Sequence, residues 1–162
     1  MIKPIPTLDG YEVAVSTPAA FTGATAARGD KDTASGAWTI FQVNGDVIVR
    51  IFGVSTLTPV GTNGTLEVGV VGNTAALIAL TTATGIVTNY IWCDSTPTAG
   101  LDLLASVLGP YVIVNGQDII ETTKTTDLTA GNIYYVCMWK PLTPGSNVIA
   151  IPIIEGADIR GY

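Results

Sequence analysis

The residues able to do chemistry in this chain are carboxylates, two cysteines and little else. Histidine is absent, which removes the side chain most used for acid–base catalysis near neutral pH and the commonest metal-binding imidazole. Ser-His-Asp and Cys-His arrangements go with it. Glycoside hydrolysis needs only two carboxyl groups about 5 to 10 Å apart, and Glu67, Glu121 and Glu155 are the candidates for such a pair. Asp30 and Asp32 offer the hard oxygen ligands that calcium takes. The residues around them do not follow an EF-hand loop, and a solvated charge run accounts for them better. Cys93 and Cys137 lie in the apolar contexts YIWCD and YYVCMW without C-x-x-C spacing, so they read as buried free thiols rather than zinc ligands. A disulfide between them stays open, because it depends on a Cα separation below about 7 Å. Arg28-Gly29-Asp30 is the tripeptide that integrin ligands display on exposed loops, but a three-residue match arises by chance and carries little. No phosphate-cradling glycine motif occurs. The expectation is a protein without cofactor, metal or catalytic activity.

Composition narrows the remaining classes. Thirteen acidic against seven basic residues give a net charge of −6, and Lys3, Arg28, Lys31, Arg50, Lys124, Lys140 and Arg160 form no cluster. No basic patch is available to displace phosphate counterions, so nucleic acid is not an expected partner. Charged residues make up 12% of the chain, where an ordinary soluble domain carries about 25%. No apolar run reaches the roughly 20 residues of a membrane span, and Pro4 and Pro6 break the start where a signal peptide would be apolar. A chain so poor in charge must solvate its surface with Thr, Asn, Gly and Ser, or cover it with other subunits.

The elements that would position any site are β-strands. Short runs rich in Val, Ile and Thr are punctuated by Gly, Asn, Asp and Pro about every ten residues. Tyr11 to Val15 alternates, and Thr22 to Gly36 reads as a polar surface loop. Trp38 to Val43 and Asp46 to Val54 flank Asn44-Gly45, which predicts a hairpin. Within the second run Val47, Val49 and Ile51 face one way, and Ile48, Arg50 and Phe52 the other. Arg50 must then reach water, a carboxylate or a neighbouring subunit. Thr65 to Val71 places Leu66, Val68 and Val70 on one face, and a turn at Gly72-Asn73 leads to Ala75–Leu80. Thr88 to Cys93 is a further strand. Ala99 to Leu108 has the spacing of one short helix. Tyr111 to Val114 and Gln117 to Thr122 predict a second hairpin around Asn115-Gly116. Asn132 to Lys140 alternates Ile133, Tyr135, Cys137 and Trp139 against Tyr134, Val136, Met138 and Lys140, and Asn147 to Ile154 closes the sheet. The fold class is all-β, a β-sandwich or jelly-roll-like barrel of many short antiparallel strands with at most one short helix. Residues 1–35 form an arm and loop, and 36–162 the domain.

The order of these elements resembles a group of small structural proteins of tailed bacteriophages. The resemblance spans residues 36–150. It rests on the first apolar strand pair, on GTLEVGVVGNTAALIA (64–79), on IWCDSTPTAG (91–100) and on the aromatic strand ending in Trp139-Lys140-Pro141-Leu142. It implies a capsid decoration (cement) or head-fibre component. Such a protein would be a β-rich homotrimer seated on the outer capsid surface, with the major capsid protein as its partner. It would be made in the host cytoplasm, where free thiols stay reduced. The residues that would contact the partner are Pro4 and Pro6 of the arm and Arg28, Asp30, Lys31 and Asp32 of the charged loop. Two other classes stay open. A receptor- or glycan-binding module would expose Trp38, Trp92, Trp139, Tyr134 or Tyr135 side by side on one face, and a carboxylate-dependent hydrolase would show paired acids in a cleft.

Overall fold

A computed structural model describes residues 10–31, 37–99 and 108–151. Pro4, Pro6, Asp32, Glu155 and most of the expected helix lie outside the described residues. Eleven strands run through the rest: β1 (Glu12–Val15), β2 (Ala37–Asn44), β3 (Val47–Val60), β4 (Thr65–Val70), β5 (Asn73–Thr82), β6 (Tyr90–Trp92), β7 (Thr98–Ala99), β8 (Tyr111–Ile113), β9 (Ile119–Lys124), β10 (Ala130–Pro141) and β11 (Asn147–Ala150). They form two antiparallel sheets, not closed into a barrel. The first has the order β1-β10-β3-β6-β7, with β8 also paired to β3, and the second the order β11-β2-β9-β4-β5. The fold is all-β and consistent with a sandwich.

The expected alternation appears in the strands that matter most. In β10, Ile133, Tyr135, Cys137 and Trp139 are buried, and in β3 Val47, Val49 and Ile51 are buried. They meet Phe41, Leu66, Val68, Ile78 and Ile119 of the second sheet in one core. A period of two puts every second side chain on the same face, so any strand with this pattern lays its apolar set against a facing sheet.

Both expected Asn-Gly hairpins are overturned. β2 and β3 do not pair with each other. β2 lies between β11 and β9 in the second sheet, while β3 pairs with β10, β6 and β8 in the first. The same is true of β8 and β9. A type I′ hairpin needs both turn residues at positive φ. At the first turn only Gly45 is there, at +70°. Asn115 and Gly116 are both at positive φ, yet their flanking strands still part to different sheets. Each Asn-Gly step is an arch that carries the chain from one sheet to the other.

Three such arches meet at one end of the sandwich, the third running from β10 to β11. Asp46 joins them. Its carboxylate Oδ1 accepts from Asn115 N–H at 2.9 Å and its carbonyl accepts from Leu142 N–H at 2.9 Å. Its own N–H donates to Ser146 Oγ at 3.1 Å. Gly116 N–H donates to the Gly45 carbonyl at 3.0 Å, stacking the first two arches directly. The β4–β5 connection is a true hairpin, as its Gly72-Asn73 turn predicts.

Candidate functional site

The charged loop is the first place to look, and burial changes its meaning. Thr22 and residues 24–26 of the expected surface loop are exposed, but Arg28 is 2% exposed and Asp30 7%, so its charged part is packed into the protein rather than solvated. Phe21 N–H donates to the Gly131 carbonyl, Leu128 N–H to the Gly29 carbonyl, and Lys31 N–H to Asp127 Oδ1. These bonds lay residues 20–31 along the start of β10, at the end opposite the arches. Gly29 sits at φ +94° with the Leu128 carbonyl where a side chain would be, a position only glycine fills.

Arg28 points inward from this segment. Its Nε and Nη2 donate to the two oxygens of Glu121 at 2.9 and 2.5 Å, and Nη1 and Nη2 donate to the carbonyls of Ala19 and Ile133. The guanidinium also lies 4.3 Å from the centre of the Phe21 ring. Tyr135 O–H donates to Glu121 Oε2 at 2.5 Å. Burial opposes the charge on Arg28, but the facing Glu121 carboxylate outweighs it and pushes its pKa up. Burial and the same carboxylate push the Tyr135 phenol well up. An ion pair sealed in this way is a fastening for the chain rather than a site that meets a ligand. Arg28 and Asp30 are not displayed to a partner, and the Arg-Gly-Asp tripeptide is hidden.

The carboxylate candidates do not come together. Glu67 pairs in register with Thr122, and Glu121 with Val68, so the two glutamates project from opposite faces of the second sheet. Glu67 is held by Thr74 Oγ1 and by Lys124 Nζ. No group of three or more Cys, Asp or Glu side chains is placed to hold a metal among the described residues. Cys93 and Cys137 are both free thiols. Trp92 and Trp139 are buried and Trp38 half-buried, so the tryptophans do not form an exposed stacking platform.

Burial raises the Cys137 thiol to about 12, and burial with the nearby Asp94 charge raises Cys93. Together with Tyr135 these groups make the fold sensitive to alkali. Unfolding returns the thiols to about 9.0 and the phenol to about 10.0, so above pH 9 the folded state keeps protons that the unfolded chain releases. Stability is therefore complete below about pH 9 and falls as pH rises towards 12, by up to about 1.4 kcal/mol per pH unit from Cys137. Urea titrations at stepped pH will show this decline, and Cys137→Ala will make it shallower between pH 9 and 10, before the phenol contributes.

What remains is a face. Residues paired in register share one side of a sheet. Across the outer side of the first sheet run Val15, Val136 and Phe52; then Val13, Met138 and Arg50; then Lys140, Ile48 and Val112; then Tyr134, Val54, Ile91 and Thr98. Antiparallel sheets usually turn a polar face outward. The second sheet is more polar there, with Gln42, Asn44, Asn147, Thr39, Thr122, Glu67 and Lys124 on its outer side beside Ile120 and Ile149. The first sheet is apolar on both sides. Val13, Val15 and Val112 are 46%, 51% and 61% exposed, and every described strand belongs to one of the two sheets, so no described strand covers this face. The sequence carried a signal for it. Val136 and Met138 in β10, and Ile48 and Phe52 in β3, are apolar at the positions that alternation assigns outward.

Tyr11 and two cations mark this face. Lys140 Nζ lies 4.4 Å and the Arg50 guanidinium carbon 5.3 Å from the centre of the Tyr11 ring, within cation–π range. Arg50 Nε is buried with no hydrogen-bond acceptor. The chain matches no protein-family model, no curated protein and no solved structure.

Proposed function

We propose that this chain is a virion structural protein, a decoration protein that binds the outer surface of a bacteriophage capsid as a homotrimer and stabilises the shell. The observation that carries the reading is the sheet with two apolar faces. A large exposed apolar surface on a soluble protein marks a place where another protein sits, and here exposed and half-buried apolar side chains run across strands β1, β10, β3 and β8. The resemblance of residues 36–150 to phage decoration and head-fibre proteins supplies the biological setting. In this reading subunits meet through the apolar face, and a separate surface bridges neighbouring copies of the major capsid protein. A ligand that binds only the assembled shell stabilises it by mass action, and repetition over a symmetric lattice adds avidity. A head-fibre module that stacks host glycans on tryptophan is the weaker reading, because Trp92 and Trp139 are buried.

The test is the copy number of this chain relative to the major capsid protein in purified particles, by quantitative mass spectrometry. A ratio near one, or a simple fixed fraction of it, is the expected result. A few dozen copies would shift the reading to a vertex fibre or tail component. Absence from the particle would end it.

A further inference from the structure

We infer that the outer face of the first sheet is one half of a head-to-tail contact between copies of this chain, in which Arg50 and Lys140, flanking Tyr11, receive carboxylates from a different face of the next copy. This rests on the oligomeric reading above and specifies the chemistry of its interface.

The argument begins with the cations. Of the five within the described residues, Arg28 is paired with Glu121 and Lys124 with Glu67, and Lys31 has a partner of its own. Arg50 and Lys140 have no acidic partner among the described residues. They are neighbours across β3 and β10, because Arg50 pairs with Met138 and Ile48 with Lys140. The remaining described outward positions of this face are apolar or, as at Tyr134 and Thr98, uncharged. The face is therefore apolar with two positive charges near its middle, on a chain whose net charge is −6. Arg50 Nε is already withdrawn from solvent and lacks an acceptor. A guanidinium buried further by a partner must gain a hydrogen-bonded anion or lose far more than the contact returns.

That requirement decides the symmetry. A two-fold contact would lay the face on itself, setting Arg50 and Lys140 of one copy among the same cations of the other, with no carboxylate among the described outward positions of either. A contact with a different face of the next copy has no such defect. With thirteen Asp and Glu against seven Lys and Arg this chain is rich in carboxylates, and Glu12 and Asp94, off the outward positions of this face, are exposed. Repeated head to tail, the contact closes into a ring if the rotation allows, which a trimer satisfies.

Sedimentation velocity on the full chain at up to ~100 μM, where micromolar contacts are populated, tests this. Salt is varied between about 50 and 500 mM to span strong and weak screening. The wild type is expected to self-associate, and its association constant to fall as salt rises. The double variant Arg50→Met/Lys140→Met keeps the apolar area and removes the charges. It is expected to associate at least about tenfold more weakly at low salt, as for a lost interfacial charge pair. A wild type that stays monomeric overturns the inference. So does a variant that associates as tightly as the wild type or more tightly, the outcome a two-fold apolar contact would give. The salt series on the wild type needs no substitution and stands even if the variant folds poorly. Salt-sensitive self-association by a chain absent from particles would sink the decoration reading and leave this contact intact. A chain present on particles but monomeric in solution would do the reverse.

Discussion

Replacing Arg28 by methionine will lower the free energy of unfolding by about 3–5 kcal/mol, the cost of leaving a buried carboxylate without its counter-ion. Glu121 is 1% exposed and is held by Arg28 and by Tyr135 O–H. With the guanidinium gone, the carboxylate must either stay charged in the core or take up a proton. The Ala19 and Ile133 carbonyls lose their donors as well. The informative companion is the triple variant Arg28→Met/Glu121→Leu/Tyr135→Phe, which replaces the whole network with apolar groups of similar size. Its stability should return to within about 2 kcal/mol of the wild type, because the desolvation cost of the ions disappears with their attraction. Guanidinium-induced unfolding of the three proteins decides the matter. If Arg28→Met alone is neutral, the network does not fasten residues 19–30 to β9 and β10 as described.

Truncating Trp92 to alanine will cost about 3–5 kcal/mol, as large-to-small changes of aromatic core residues do. Its ring is fully buried, 6.2 Å from the Tyr135 ring and tilted 53° to it. Trp92 is opposite Gly53 in register, and a side chain at Gly53 would press on Ile133 and Tyr135. The gap left by that glycine is thus filled from both sides, and the surroundings have little freedom to collapse into a cavity. Trp92→Phe will cost less, roughly 2 kcal/mol, from partial loss of volume and of the Nε1–H bond to Thr81 Oγ1. The ordering Ala below Phe below wild type in thermal and chemical unfolding is the check. Equal losses for the two variants would mean that the hydrogen bond, not the packing, holds this end of β6.

These two expectations differ in how much of them could be read from the sequence. That Tyr135 and Cys137 face inward in β10, and Val47, Val49 and Ile51 in β3, follows from alternation alone, because the side-chain period of a strand is a local property. The all-β class follows in the same way, from short β-branched runs between turn residues. The hydrophobic step from Leu66 to Val68 and the hairpin after it were legible too, since the turn residues and both strands lie within twenty positions of one another.

Only the tertiary structure decided which strands pair. Asn44-Gly45 and Asn115-Gly116 specify a sharp change of direction, but whether the next strand returns beside the last one or crosses to the other sheet depends on partners far away. β3 finds β10, more than seventy residues on, and β2 finds β9 and β11. Arg28 looked solvent-exposed because its neighbours in sequence are small and polar. Its environment is set instead by Glu121, 93 residues distant. The two-sided apolar sheet was half legible, strand by strand, yet its extent emerged only when register aligned Val13, Met138 and Arg50 in one row and Lys140, Ile48 and Val112 in the next. Local pattern fixes which way a side chain points. The long-range pairing of strands fixes what stands beside it, and so which charges are buried with a partner and which are left facing outward without one.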